Sequence, residues 1–306
     1  MRRQPIERVT VRAPAKVNLH LSVGRLRPDG FHELTTVFQA IGLYDEVDAV
    51  QADALSVTVT GEGADLVPLD NTNLAARAVD LLAAETGRKS GVALTIRKGI
   101  PVAGGCAGGS ADAAAALVAC DALWRTDMSR DHLAVLGARL GSDVPFALHG
   151  GTALGTGRGE RLTPVLGHGS YSWVLALAEG GLSTPDVYAE LDRQRDSGPV
   201  GVVSDASAVL TALRGGDPVA LGRALANDLQ PPAVALCPPL QQVLRTGTDL
   251  GALGAMVSGS GPTVAFLARN DDHAAALAAG LAGQGVCRSV RRADGPVAGA
   301  RVVEFA

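Results

Sequence analysis

A chain of 306 residues, 47% hydrophobic and 19% charged, is long enough for two domains with sizeable cores and too apolar to be disordered. A net charge of −4 gives no basic field for a nucleic acid, and 3% aromatic residues leave little on which a strand of bases could stack. Cys106, Cys120, Cys237 and Cys287 are widely spaced with no C-x-x-C pair, which argues against a metal site or disulfide framework and fits reduced thiols in a cytosol.

The N-terminal Met1–Arg8 lacks the apolar core of a signal peptide, and no uncharged apolar run is long enough to span a bilayer. A cytoplasmic protein without membrane contact is expected. Val9–Val23 alternates: Val9, Val11, Ala13, Ala15, Val17, Leu19, Leu21 and Val23 on one face, Arg12, Lys16, Asn18, His20 and Ser22 on the other. This predicts a strand broken near Pro14, which cannot donate to a ladder. By pattern alone, Lys16 and Asn18 read as a solvated strand face.

Pro28-Asp29-Gly30 is a turn signal, and Phe31 and His32 beyond it read either as a hairpin plug or as a pair that recognises a base. Leu34–Ile41, Glu46–Val50 and Leu55–Thr60 are predicted strands. Asn71–Leu74 caps a helix reaching about Glu85, and the strand Val92–Lys98 delivers the chain to Pro101-Val-Ala-Gly-Gly-Cys-Ala-Gly-Gly-Ser-Ala111.

Glycines let a backbone turn through positive φ and approach a ligand closely. Ser110 and Asp112 are good helix-start residues, and an alanine-rich helical pattern runs from there to about Trp124. A glycine loop opening a helix presents unpaired N–H groups and the positive dipole end, a site for phosphate; the alternative is a flexible loop before a helix. The chain has neither the Gly-Lys pair of a P-loop nor G-x-G-x-x-G, so phosphate here requires a third design.

Ser129–Leu140 is a second predicted helix, stopping at Gly141. Asp143, two residues before Pro145, reads equally as a helix cap or as a catalytic carboxylate. His149–Thr156 reads as a strand and Gly155–Glu160 as a glycine-rich turn, with a domain boundary near Pro164–Ser170. Beyond it come a buried strand Trp173–Ala178, a helix starting at Ser183-Thr184-Pro185 and a polar loop Arg193–Val203. Helices follow at Val209–Leu213 and Pro218–Ala226, then a break at Asn227–Pro232 and a helix around Pro239–Thr246. A second glycine-rich loop within Ala255–Phe266 enters a strand. Asp272–Ala282 is helical, and Val286–Val290 and Arg301–Phe305 are strands. The irregular alternation favours an α+β fold over a doubly wound sheet, with no internal repeat.

Pro14-Ala-Lys-Val-Asn18, the Gly104–Ala116 loop, Leu140-Gly-Ser-Asp-Val-Pro145 and Ser258-Gly-Ser-Gly-Pro-Thr263 occur in that order. Together they resemble the GHMP kinases, which include galactokinase, homoserine kinase and mevalonate kinase, from about Val9 to the C-terminus. Asp29-Gly-Phe-His-Glu-Leu34 narrows the resemblance to members whose acceptor is a cytidyl diphosphate of methylerythritol, in isoprenoid precursor biosynthesis. The resemblance implies two domains: 1–165, of the ribosomal-protein-S5 domain-2 type and carrying ATP, and 166–306, an α+β domain completing the acceptor site. It implies transfer of the γ-phosphoryl of ATP to the 2-hydroxyl of the acceptor, with Mg²⁺, in a monomer or weak homodimer that binds no nucleic acid.

On the same ground Asp143 matches the base that takes the hydroxyl proton, and Lys16 the lysine that steadies charge at the attacking oxygen. Pro101, Val102, Ala103, Gly104, Gly105, Cys106, Ala107, Gly108, Gly109, Ser110 and Ala111 would wrap the phosphates. Ser110 would lie near the β-phosphate or Mg²⁺, and Asn73 and Leu74 on the adenine side. Asn18 would hold the erythritol. Phe31 and Tyr188 would sandwich the cytosine, with His32 reading its edge and Thr184 close by. Ser258, Gly259 and Ser260 would close over the acceptor.

The family usually has tyrosine at Phe31, but stacking needs only the ring. Ala103, Cys106 and Ala107 replace residues common in the loop of other members, and alanine fits there only where φ stays negative. A homoserine- or mevalonate-type kinase would not need Phe31, His32 and Tyr188, because those acceptors have no base. A non-catalytic nucleotide sensor should lack Lys16 or Asp143, and an RNA-binding protein would need a basic patch with aromatics.

Overall fold

The structure, a computed structural model, describes residues 7–102, 104–178, 180–197 and 205–305. The expectation for Ala103 lies outside the described residues, as do the first six residues of the N-terminal reading and most of the predicted loop after Asp196.

The chain opens with two long strands, β1 (Arg8–Leu26) and β2 (His32–Gln51), paired antiparallel almost end to end. Pro14 does not break β1. The ladder shifts register between Pro14 and Ala15, and a bulge absorbs a residue that cannot donate. β2 likewise runs through Gly42, where two strands were expected. The turn between them is closed by Arg27 N–H to Phe31 O at 2.6 Å, and the Asp29 carboxylate accepts from Phe31 N–H at 3.1 Å. That turn places Phe31 and His32 at the hairpin's tip.

β3 (Ser56–Gly61) follows, then a 3₁₀ turn (Ala64–Leu66) and α1 (Leu74–Thr86). Asn73 caps α1, its Oδ1 accepting from Ala75 N–H at 2.8 Å. β4 (Val92–Lys98) lies between β2 and β3, antiparallel to the first and parallel to the second. α2 (Gly108–Trp124) is the central helix, and Ala111 and Ala113–Leu117 are fully buried. A run of alanines is what lets one helix be covered on every side. It starts two residues before Ser110, after Ala107, whose φ is 61°. Contrary to the expectation from sequence, an alanine here holds the left-handed conformation, which costs roughly 1–2 kcal/mol in an L-residue.

α3 (Arg130–Leu140) is capped by Ser129, and α4 (Val144–His149) takes in His149, which was expected in a strand. β5 (Thr152–Thr156) and β6 (Arg161–Pro164), the latter not expected, form a hairpin on the edge of β2. The chain then leaves the first sheet, and β7 (Tyr171–Leu177) opens a second. α5 (Thr184–Asp196) runs into the predicted loop. α6 (Ser207–Gly215) and α7 (Pro218–Ala224) precede β8 (Ala226–Asn227), which returns to pair with β1.

The expected break at Asn227–Pro232 is instead the entry to α8 (Gln230–Leu236), because its prolines occupy the first turn, where the missing N–H has no consequence. α9 (Pro239–Asp249), β9 (Gly254–Val257), β10 (Val264–Ala268), α10 (Asp271–Gln284) and β11 (Ser289–Gly295) complete the second sheet, of order β11-β7-β10-β9. β11 begins three residues later than the predicted Val286. The last strand, β12 (Arg301–Phe305), rejoins the first sheet beside β1. Fully buried Trp173 on β7 donates its indole N–H to Gln39 Oε1 on β2 at 2.9 Å, joining the two sheets through their cores. No helix among the described residues is long and apolar enough to cross a membrane.

Candidate active site

A cleft of about 830 Å³ opens where the glycine loop, the β1–β2 hairpin, the start of α4, α5 and the loop between β9 and β10 meet. It gathers Lys16, Asn18, Phe31, His32, Asp143, Thr184, Tyr188, Gly259 and Ser260, which are spread across most of the chain.

Lys16 is 6% exposed, so the solvated-face reading fails. Its ammonium donates to Asn18 Oδ1 at 2.7 Å and stands 3.7 Å from Asp143 Oδ2. Asn18 in turn donates to Thr36 Oγ1 at 2.9 Å. A buried ammonium needs such partners. Asp143 occupies the cap position of α4 but makes no capping hydrogen bond with its side chain. Its carboxylate is therefore turned to Lys16 and the cleft, not spent on the helix.

The phosphate-loop expectation divides. Pro101, Val102, Gly104, Gly105, Ala107, Gly108, Gly109 and Ser110 line the cleft. Cys106 and Ala111 do not, because both are buried against the core. Cys106 contributes only its carbonyl, which accepts from Lys16 N–H at 3.3 Å. The two glycine loops lie directly on one another. A Cβ on Gly105, whose φ is +72°, would fall 2.3 Å from Ser258 O. Ser258 itself is fully buried behind the cleft wall, where its hydroxyl donates to Gly105 O at 3.3 Å, so it braces the phosphate loop without touching the cleft. Gly259 and Ser260 reach the cleft, and a Cβ on Gly259 would stand 3.1 Å from Lys16 Nζ.

Asn73 and Leu74 do not line the cleft either. The Asn73 carbonyl oxygen caps α1 and its amide donates to Pro68 O at 2.7 Å, and the exposed wall is Leu66, Val67 and Pro68. Asn73 therefore supports this wall from behind.

At the hairpin tip Phe31 is 48% exposed, and the Arg158 guanidinium lies 4.8 Å from its ring centre. His32 is buried, and its ring packs at 5.1 Å against Tyr188. His32 Nε2 meets the Asp192 carboxylate at 3.0 Å. Burial, reinforced by the charge of nearby Asp143, raises the Tyr188 phenol above its ordinary pKa and keeps it neutral. Thr184 and Ser260 share a hydrogen bond of 2.8 Å, tying α5 to the second glycine loop.

Sequence reasoning missed several cleft residues. Asp192 lies one helical turn past Tyr188, an i,i+4 spacing that the pattern could have shown. Arg158 was passed over as part of a turn. Lys98 is clamped between Asp45 Oδ2 at 2.5 Å and Asp112 Oδ2 at 2.7 Å. Burial opposes the Lys98 charge, but Asp112 and Asp45 outweigh it and raise its pKa. Burial and then the Asp45 charge raise Asp112 well above the carboxylate range, against the pull of Lys98. Two N–H groups, from Gly99 and Ile100, donate to Asp45 Oδ1 at 2.8 Å each and fix the start of the loop.

Residues 73–151 match the GHMP kinases N terminal domain and residues 209–287 the GHMP kinases C terminal domain. A relative from Nocardia farcinica, 4-diphosphocytidyl-2-C-methyl-D-erythritol kinase, is 60% identical over 97% of this chain and 96% of its own. The chain belongs to the 4-diphosphocytidyl-2-C-methyl-D-erythritol kinase family, within the GHMP kinases. As a member of that family it is an ATP-dependent phosphotransferase of α+β fold. A crystal structure of 4-(cytidine 5'-diphospho)-2C-methyl-D-erythritol kinase superposes with a TM-score of 0.74 at 35% identity, covering 93% of this chain and 98% of that one. Homoserine kinase from Cytophaga hutchinsonii superposes slightly better, TM-score 0.77, but at 18% identity. It shares the fold, so shape alone does not separate this family from the homoserine kinases, and the residues at the hairpin tip must.

Proposed function

We propose that the chain transfers the γ-phosphoryl of ATP to the 2-hydroxyl of 4-diphosphocytidyl-2-C-methyl-D-erythritol, releasing ADP and the 2-phosphate. One observation carries this reading. Contacts join the phosphate loop at Cys106 to Lys16 and Asp143, and the same cleft is lined by Tyr188, packed on His32, and by Phe31. A phosphate end and an aromatic end are thus joined by an acid–base pair within one cleft.

The acceptor hydroxyl loses its proton to Asp143 as it attacks. Lys16 holds positive charge beside the developing alkoxide, and Asn18 orients both Lys16 and the erythritol. The glycine loop offers backbone N–H groups at the start of α2 to the β- and γ-phosphates. Phe31 and Tyr188 enclose the cytosine, with His32 at its edge. Gly259 and Ser260 close over the acceptor, with Thr184 beside them. The wall at Leu66–Pro68, held by Asn73, faces the adenine.

Mg²⁺ fits the residues present. Ser110 lines the cleft, and Asp112 Oδ1, also on the wall, is buried without a hydrogen-bond partner. No group of three acidic, histidine or cysteine side chains forms a metal cage among the described residues. Mg²⁺ does not require one, since it keeps waters and phosphate oxygens as ligands. The Ser110 hydroxyl would hold it, and the ion would neutralise charge on the phosphates.

In this reading residues 1–165 carry ATP and 166–306 complete the acceptor site, with β12 returned to the first sheet. The four unpaired cysteines suit a cytoplasmic enzyme. The test is ADP release by the purified chain over the cytidyl diphosphate, homoserine, mevalonate and galactose. Turnover confined to the cytidyl diphosphate is expected, and turnover of homoserine or mevalonate instead would overturn the assignment.

A further inference from the structure

Two lysines and one arginine line the cleft. Lys98 is held between two buried carboxylates, and Lys16 by Asn18 and Asp143. Arg158 makes no ion pair among the described residues. Its guanidinium rests on the Phe31 ring, and its own N–H donates to Glu160 Oε2 at 2.6 Å. It stands on a turn that is fixed to the hairpin tip. Leu34 N–H donates to Gly157 O at 2.7 Å, and Gly157 N–H donates to Glu33 Oε1 at 3.1 Å.

The acceptor brings a diphosphate of its own, apart from the phosphates of ATP. The glycine loop serves ATP, so the second set of negative charges needs another partner. A guanidinium held over an aromatic ring, as Arg158 is over Phe31 at 4.8 Å, is partly ordered before a ligand arrives, and its N–H groups form the fork that suits phosphate oxygens. The ring that Arg158 covers is the one assigned to the cytosine, and a ring with one face taken by a cation has its other face to offer a base. We propose that Arg158 binds the diphosphate of the acceptor and, through Phe31, ties recognition of the base to recognition of the diphosphate. This rests on the cytidyl reading given above.

The test compares cytidine with cytidine diphosphate, each titrated into the full chain at saturating Mg²⁺ and non-hydrolysable ATP analogue, so that neither probe occupies the phosphate loop. The wild type should prefer the diphosphate. Arg158→Ala and the stem-keeping Arg158→Gln should bind cytidine diphosphate about tenfold to a hundredfold more weakly, the usual range for losing a hydrogen bond to a charged group. Cytidine should weaken far less, so the preference collapses. KM for the acceptor should rise in step while KM for ATP holds. If both probes weaken by one factor, Arg158 only supports Phe31 and the proposal fails. It fails also if the folded variants keep the wild-type preference. A wild type that binds neither probe instead overturns the cytidyl reading, and the proposal with it.

Discussion

Lys16 Nζ stands 3.7 Å from Asp143 Oδ2, although 126 residues and most of the first domain's helices separate them in sequence. The pair is assembled by two different constraints. β1 fixes Lys16 through its ladder with β2, and Asp143 is presented from the cap position just before the short helix α4. Because the Asp143 side chain makes no capping bond, its removal should be felt in the chemistry and not in the fold. Asp143→Asn should lower kcat by about 10²–10⁴, the range for a positioned base, with ATP affinity and melting temperature close to wild type. Coupled ADP-release kinetics beside a thermal melt measure both. A kcat above roughly a tenth of wild type would remove Asp143 from the reaction.

Lys16→Met should fold and turn over poorly. Methionine keeps the buried stem, while the charge beside the attacking oxygen is lost and Asn18 Oδ1 loses its donor. A fall in kcat of about 10²–10³ is expected, as for the loss of one preorganised electrostatic donor. An unchanged kcat/KM in a folded variant would leave Lys16 a structural residue of the ladder.

His20 follows Lys16 and Asn18 on β1 but serves no step of the reaction, because a one-residue register shift between Asn18 and His20 turns it away from the cleft and brings Leu21 to the cleft wall instead. It is 1% exposed and its Nε2 has no hydrogen-bond partner. Burial lowers its pKa below the ordinary imidazole value, partly opposed by Asp228 and Asp205. The unfolded chain therefore binds a proton near pH 6.5 that the folded chain takes up only at lower pH. Between those values the unfolded state holds more protons, so this contribution to stability is full above about pH 6.5 and is lost as pH falls through the folded value. His20→Gln should flatten the difference in unfolding free energy between about pH 5.5 and about pH 7.5. Urea titrations of both proteins at the two pH values give the comparison, and equal differences would assign the pH dependence to other groups.

Much of this was legible in the sequence, and the failures share a cause. Alternation over Val9–Val23 gave the strand and the shared face of Lys16 and Asn18, but not the one-residue register shift before His20, past which Leu21 and not His20 lines the cleft. It could not show that this face is covered, because burial of a polar face depends on Asp143 and the second glycine loop, which are distant in sequence. Motif order located the phosphate loop, but not the left-handed Ala107 at the entry to α2, since an alanine carries no signal for positive φ. Asn73 caps α1 as the pattern indicated, but the pattern could not show that its amide would be turned to Pro68, behind the cleft wall of Leu66, Val67 and Pro68. Arg158 carried no signal of its own, because a charge in a turn is usually solvated, whereas Asp192 had only its i,i+4 spacing from Tyr188 to mark it.

The last prediction concerns the ring at the hairpin tip. Phe31 is 48% exposed and lies on the cleft wall under the Arg158 guanidinium. If it were a plug behind the Pro28-Asp29-Gly30 turn, it should be buried, and its loss should lower the melting temperature by way of the core. A half-exposed ring contributes little there, and the turn is already closed by backbone bonds from Arg27 and Gly30. If the ring stacks on cytosine, Phe31→Ala should raise KM for the cytidyl acceptor and leave KM for ATP nearly alone. Stacking is worth about 1–3 kcal/mol by alanine substitution in single-stranded nucleic-acid sites, which corresponds to a weakening of roughly fivefold to a hundredfold. Phe31→Tyr keeps the ring and should be nearly silent. Both KM values and the melting temperature of the one alanine variant decide the matter. A lower melting temperature with an unchanged KM ratio would make the ring structural, and would remove the aromatic end of the cleft from the argument for a cytidyl acceptor.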